Sequence, residues 1–196
     1  MDTKTIMLMG RSGSGKGSQA KLLKEYLEKT TGLGVIYIST GDKMREVMAL
    51  KGNETARLID EKIMKNGNLA PHALPIWAWL DVLIHQDLHN GKHLILDGTP
   101  RMAPEAEILI GVLKFYEREH ITPIALDIPR DEAERRLLAR GRADDVVENI
   151  KNRLDSYEAH AIPTIVVLNK IYKVHNIFAT GDKSAIHEKI IKIINA

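Results

Sequence analysis

The sequence predicts a three-layer α/β fold, with a parallel β-sheet carrying helices on both faces. Two observations carry this expectation. Short β-branched, near-continuous apolar runs alternate with helix-length stretches along the chain. A glycine-rich loop also stands between the first such run and the first helical stretch. Apolar runs of this kind suit strands covered on both faces, and strand–helix–strand alternation sets them parallel.

The candidate strands are Thr5–Met9, Val35–Ile38, His93–Leu96, Ile121–Ile128 and Val174–Phe178. Between the first two, residues 19–30 place Ala20, Leu23 and Leu27 along one helix face. Residues 41–91 hold about three helices and no evident strand. Residues 130–172 are again helical, with a glycine-containing joint at Arg140-Gly141-Arg142. The last helix aligns Ile186, Ile190, Ile193 and Ile194, and Asp182 is its expected N-cap. Trp77 and Trp79, two apart on a helix, point in different directions, so one is expected in the core and the other nearer the surface. No repeat, low-complexity tract or Pro/Gly-rich linker divides the chain, which predicts one domain with two helical excursions.

Composition narrows the function classes. Of 196 residues, 28 are Lys or Arg and 26 Asp or Glu, with 44% hydrophobic, which excludes a disordered chain. The near-balanced charge gives no basic excess for a nucleic-acid surface. Cysteine is absent, so disulfides, thiolate metal sites and a cysteine nucleophile are excluded. No signal-peptide pattern opens the sequence and no run of about 18 apolar residues occurs, so a cytoplasmic protein without a membrane span is expected. His72, His85, His89 and His93 show no metal-ligand spacing.

The loop reads Gly10-Arg11-Ser12-Gly13-Ser14-Gly15-Lys16-Gly17-Ser18. Glycines let successive backbone N–H groups curl around phosphate oxygens, the following helix adds its positive dipole end, and Lys16 adds a mobile charge. This is the loop of the P-loop NTPase-type fold. A hydroxyl residue normally follows the lysine and holds magnesium, but here Gly17 stands there and Ser18 comes one later. Ser18 is therefore expected to contact phosphate, with Mg2+ held mainly by nucleotide oxygens and water.

Four further segments join this loop: Ser39-Thr40-Gly41-Asp42-Lys43-Met44-Arg45, Gly67-Asn68-Leu69-Ala70-Pro71, Asp97-Gly98-Thr99-Pro100-Arg101 and Arg140-Gly141-Arg142-Ala143-Asp144-Asp145. In order and spacing, over essentially the whole chain, the five resemble the adenylate kinase family of nucleoside monophosphate kinases. The resemblance implies a five-stranded parallel sheet and reversible phosphoryl transfer from Mg2+-bound ATP to a nucleoside monophosphate. It implies one kinase domain over residues 1–196, with a helical monophosphate-binding insertion at about 40–71 and a minimal lid at about 139–146. Gly13, Ser14, Gly15, Lys16, Gly17 and Ser18 then cradle the donor phosphates, with Arg136 and Arg140 on the donor side and Gly181 at the donor base. Thr40, Arg45, Asn68, Leu69, Ala70, Gly98, Thr99, Pro100 and Arg101 form the acceptor site. Arg142 and Arg153 bridge toward the transferring phosphoryl group, and Asp97 orients magnesium-bound water. A monomer or small homo-oligomer is expected, without nucleic acid or membrane. Six of the 11 arginines thus fall at phosphate-facing positions, a local cationic cleft that the net charge conceals.

Two departures stand out. Members of the family usually carry an aromatic residue where Thr99 stands and a glutamine where Glu105 stands. An ionised carboxylate only accepts hydrogen bonds, so Glu105 suits a base edge offering two donors, such as guanine, or a protonated edge, or else is a favourable acid in a helix first turn with the base read by backbone groups. AMP remains the expected acceptor because the rest of the frame matches. The second departure is the lid: only Gly141 separates the arginines at 140 and 142, where the family has a loop or small domain. Either raised ATP hydrolysis without acceptor or cover from a neighbouring protomer is expected. Asp144 and Asp145 either favour a helix N-terminus or pair with the lid arginines. A P-loop kinase for another metabolite leaves the Thr40-Gly41-Asp42 and Asp97–Arg101 segments unexplained. A non-catalytic nucleotide switch leaves Lys16, Arg101 and Arg142 unexplained.

Overall fold

The computed structural model describes residues 3–86, 88 and 91–196. Among them, β1 (Thr5–Met9), β2 (Val35–Ser39), β3 (His93–Asp97), β4 (Ile121–Asp127) and β5 (His175–Phe178) form one sheet in the order β2-β3-β1-β4-β5. Every pairing is parallel. The five expected runs are these five strands. β2 and β3 each run one residue further, β4 stops at Asp127 rather than Ile128, and β5 starts at His175 rather than Val174.

The helices are α1 (Lys16–Thr31), α2 (Thr40–Met48), α3 (Glu54–Ile59), α4 (Ala73–His85), α5 (Ala103–Phe115), α6 (Arg130–Arg140), α7 (Val147–Ser156), α8 (Ile162–Leu168) and α9 (Lys183–Ile194). A π-helical turn, Asp60–Met64, continues α3, and another, Tyr157–Ala161, joins α7 to α8. The cap expected for the last helix is present, since the Asp182 side chain accepts from the amides of Ser184 (2.8 Å) and Ala185 (3.0 Å).

Alternation along β1 divides the core between the two faces of the sheet. Ile6 and Leu8 belong to a cluster with Leu23 and Leu27 of α1 and Ile190 of α9. Met7 belongs to the opposite cluster, with Trp79 and Leu83 of α4 and Leu109 and Leu113 of α5. Trp79 is fully buried, whereas Trp77 is 43% exposed beside the Lys43 ammonium. His93 is also core: its Nδ1 accepts from the Lys4 amide and its Nε2 meets the Thr31 hydroxyl. His89 lies outside the described residues.

Register places the chemistry. Asp97 stands opposite Leu8 of β1 on one side and Ser39 of β2 on the other. The carboxyl ends of β1, β2 and β3 therefore lie side by side, where open α/β sheets bind ligands.

Candidate active site

A cleft of about 1000 Å³ opens over these strand ends. Gly13 to Ser18 line it, together with Thr40, Arg45, Asn68, Leu69, Ala70, Asp97, Gly98, Pro100, Arg101, Glu105, Arg136, Arg140, Arg142, Arg153 and Gly181. Thr99 does not line it. That residue has no exposed surface and turns its hydroxyl to the Glu105 carboxylate. Thr99, expected at the acceptor site, therefore stands beneath the loop there, its short polar side chain turned away from the cleft wall.

The phosphate loop is set by its neighbours. Gly13 has φ +85°, and a Cβ there would stand 2.8 Å from the Ala133 carbonyl oxygen on α6, so the loop approaches α6 as only glycine permits. Arg11 ties the loop to the second π-turn: it donates to Glu158 at 3.0 Å and lies 5.2 Å from the Tyr157 ring centroid. Lys16 Nζ donates to the carbonyls of Gly10 (2.6 Å) and Arg11 (3.0 Å). Burial lowers its ammonium from 10.5 to about 8; Asp97 opposes that shift, while Arg101 and Arg140 add to it.

Across the cleft, Ser39 caps α2 by accepting from the Asp42 amide at 3.2 Å, and Asp42 pairs with Arg45. The Thr40 hydroxyl is buried and has no hydrogen-bond partner among the described residues. Gly67 has φ +64°, and a Cβ there would fall 2.3 Å from the Asn149 carbonyl oxygen, so the chain at Gly67 leans on α7. Asn152 strengthens that contact by donating to the Asn66 carbonyl at 2.8 Å. The segment expected at the acceptor is therefore coupled to the helix that carries Arg153.

The arginines divide into two groups. Arg140 binds Asp145 through Nε (2.8 Å) and Nη2 (2.7 Å), and Arg153 reaches Asp144 (3.0 Å) and Asp145 (2.9 Å). Burial opposes the charge on Asp145, but hydrogen bonds from Arg140, with Arg153 and the Arg142 amide, hold its carboxyl below the usual carboxylate range. Of the two readings of Asp144 and Asp145, arginine pairing is the one this geometry contains, since α7 begins only at Val147. Arg136 donates to Glu132 and to the Ala179 carbonyl. By contrast, neither Arg101 nor Arg142 has a carboxylate partner among the described residues; Arg101 Nε donates to the Gly98 carbonyl at 2.8 Å. Burial, then Arg140 and Arg45, push the Arg142 guanidinium below its ordinary range, against Asp144 and Asp145.

The comparisons agree with this geometry. The adenylate kinase family model matches residues 8–173. An adenylate kinase of Leptospira biflexa is 35% identical over 195 residues, covering 97% of this chain and 100% of that protein. Adenylate kinases of Oenococcus oeni (30% identical, 98% of each chain) and Bacteroides fragilis (32%, 97% of each) are also similar. The chain belongs to the adenylate kinase family.

This adenylate kinase family member joins α6 to α7 by residues 141–146 alone, with Gly141 left-handed at the end of α6. Among its described residues, no helix is long and apolar enough to cross a membrane. Likewise, no group of three or more His, Asp or Glu among them is placed to hold a metal. Tyr37 is a cleft residue that the sequence did not single out. Its hydroxyl donates to Asp97 Oδ2 at 2.8 Å, and burial, then the Asp97 charge, raises its phenol. A signal exists: it is the one aromatic in the strand, set between Ile36 and Ile38, two residues before the strand ends.

Proposed function

We propose that this chain catalyses reversible phosphoryl transfer from ATP to AMP, giving two ADP. The observation that carries the reading is the convergence of the phosphate loop, the acceptor segments and two carboxylate-free guanidinium groups on one cleft. An ionised acceptor phosphate needs no general base. One of its oxygens attacks the γ-phosphorus in line, and the bond to the β,γ-bridging oxygen breaks. The protein must align the two nucleotides and neutralise charge spread over the transferring oxygens.

In this reading Gly13 to Ser18 hold the donor phosphates through backbone N–H groups and Lys16, with Gly181 at the donor base and Arg136 and Arg140 on the donor side. Thr40, Arg45, Asn68, Leu69, Ala70 and Gly98 to Arg101 set the acceptor, with Thr99 acting from beneath the loop. Arg101, Arg142 and Arg153 face the transferring group. The donor set fits Mg2+ that arrives with ATP: Gly17 brings no hydroxyl, and Asp97 is a single carboxylate beside Lys16. The metal would supply charge neutralisation at the donor phosphate oxygens, while Tyr37 donates to the Asp97 carboxylate that would orient its water, with the Lys16 charge nearby. A cytoplasmic monomer or small homo-oligomer completes the reading.

A coupled assay of ADP formation from ATP and AMP tests it, with Lys16→Met as control. Steady turnover in the wild type, lost in the variant, is the expected result. Nucleotide binding without ADP formation contradicts it and favours a switch.

A further inference from the structure

Glu105 stands where a base-reading glutamine amide is expected, yet both of its oxygens are engaged inside the loop. Only 1% of the residue is exposed. Oε1 accepts from the Thr99 hydroxyl and Oε2 from the Arg101 amide at 2.7 Å. The carboxylate thus spans the turn that presents Arg101. The two positions that depart from the family pattern, 99 and 105, are one hydrogen-bonded pair.

The chemistry differs from that of an amide. Glutamine accepts from a backbone amide through its oxygen and keeps N–H groups to donate to a ring nitrogen; an ionised carboxylate donates nothing. With both oxygens turned into the loop, the carboxylate offers the acceptor base neither a donor nor a free accepting edge. Met44, Ile63, Met64 and Leu69, which line the same cleft, offer side-chain apolar surface that holds a flat ring without distinguishing its polar edges.

We propose that Glu105 is a positioning residue for the Arg101 loop rather than a reader of the acceptor base, so that the enzyme separates purine monophosphates weakly and phosphorylates GMP as well as AMP. This inference rests on the monophosphate kinase reading above. A pocket that reads shape separates near-isosteres by roughly 10–200-fold, whereas one that hydrogen-bonds a particular edge reaches about 10⁴-fold.

The test is kcat/KM for AMP and GMP at saturating Mg-ATP, in the wild type, Glu105→Gln and the double variant Thr99→Phe/Glu105→Gln. The ratio of the two values within one preparation is independent of the fraction folded. The wild-type ratio is expected to lie within about tenfold of unity. In the double variant, with the amide released from residue 99, it is expected to rise at least about tenfold in favour of AMP. A wild-type preference for either base above about a thousandfold overturns the inference. So does a low ratio that neither variant moves. Turnover of AMP alone defeats this inference but leaves the kinase reading intact; no ADP from any monophosphate defeats both.

Discussion

Asp145 has no exposed side-chain surface and receives Arg140 through two hydrogen bonds, of 2.7 and 2.8 Å. Arg153 adds a third at 2.9 Å and the Arg142 amide a fourth at 3.2 Å. One carboxylate therefore gathers Arg140 at the end of α6, the Arg142 amide in the join and Arg153 of α7. Because Arg140 and Arg153 retain some contact with water, Asp145→Asn is expected to cost about 2–3 kcal/mol, at or just below the roughly 3–5 kcal/mol of a broken fully buried pair. The folded carboxyl is depressed, so its stabilisation is complete above the ordinary carboxylate range and is lost as pH falls through the lower folded value. Urea unfolding of wild type and variant should differ constantly near neutrality and converge only in strong acid.

Lys16 carries the opposite sign. Its folded ammonium titrates at about 8 against 10.5 for a free lysine, so between those values the unfolded chain binds more protons and stability rises with pH. The charged lysine is thus a burden on the free protein below about pH 8, worth roughly 3 kcal/mol at each pH where it is fully protonated. Lys16→Met should be inactive yet more stable by up to that amount at pH 7, with the gain fading toward pH 10.5. Equal stability of the two proteins across this window contradicts the assignment.

Arg101 is held by the Gly98 carbonyl and meets no carboxylate among the described residues, which in the proposed reaction leaves its charge for the transferring group. Arg101→Ala is expected to lower kcat by about a thousandfold, the scale of a transition-state arginine. ATP affinity, read by equilibrium titration, should change little. Undiminished turnover would refute the role.

The join at residues 141–146 leaves little chain to close over the phosphates, and Leu138, Val146 and Val147 beside it are about half exposed. Acceptor-free phosphate release from ATP is expected to be readily detectable. Where a second protomer covers the site, that release falls as protein concentration rises through the dimerisation range. A monomer at all concentrations with negligible ATP hydrolysis contradicts both forms of the expectation.

Strands were legible because parallel strands buried on both faces are written as unbroken aliphatic runs, and β1 is the clearest case, matching Thr5–Met9 at both ends. The α9 cap was legible because Asp182 acts within its own turn. Relationships across long separations were not. Tyr37 meets Asp97 60 residues away, and Arg11 meets Glu158 147 residues away, so no local pattern announces either. The π-turns at 60–64 and 157–161 were equally silent, since a slipped hydrogen-bond ladder leaves the composition helical. Glu105 departs from the family pattern in the sequence itself, but its pairing with Thr99 depends on how the loop between them folds back.

The most direct test of the account follows the transferred group itself. ATP labelled at the γ-phosphate, incubated with unlabelled AMP and Mg2+, should yield ADP labelled at its β-phosphate, with two ADP formed for each ATP consumed. Label recovered only as inorganic phosphate, or remaining wholly in ATP while both nucleotides bind, would contradict phosphoryl transfer between nucleotides in this cleft.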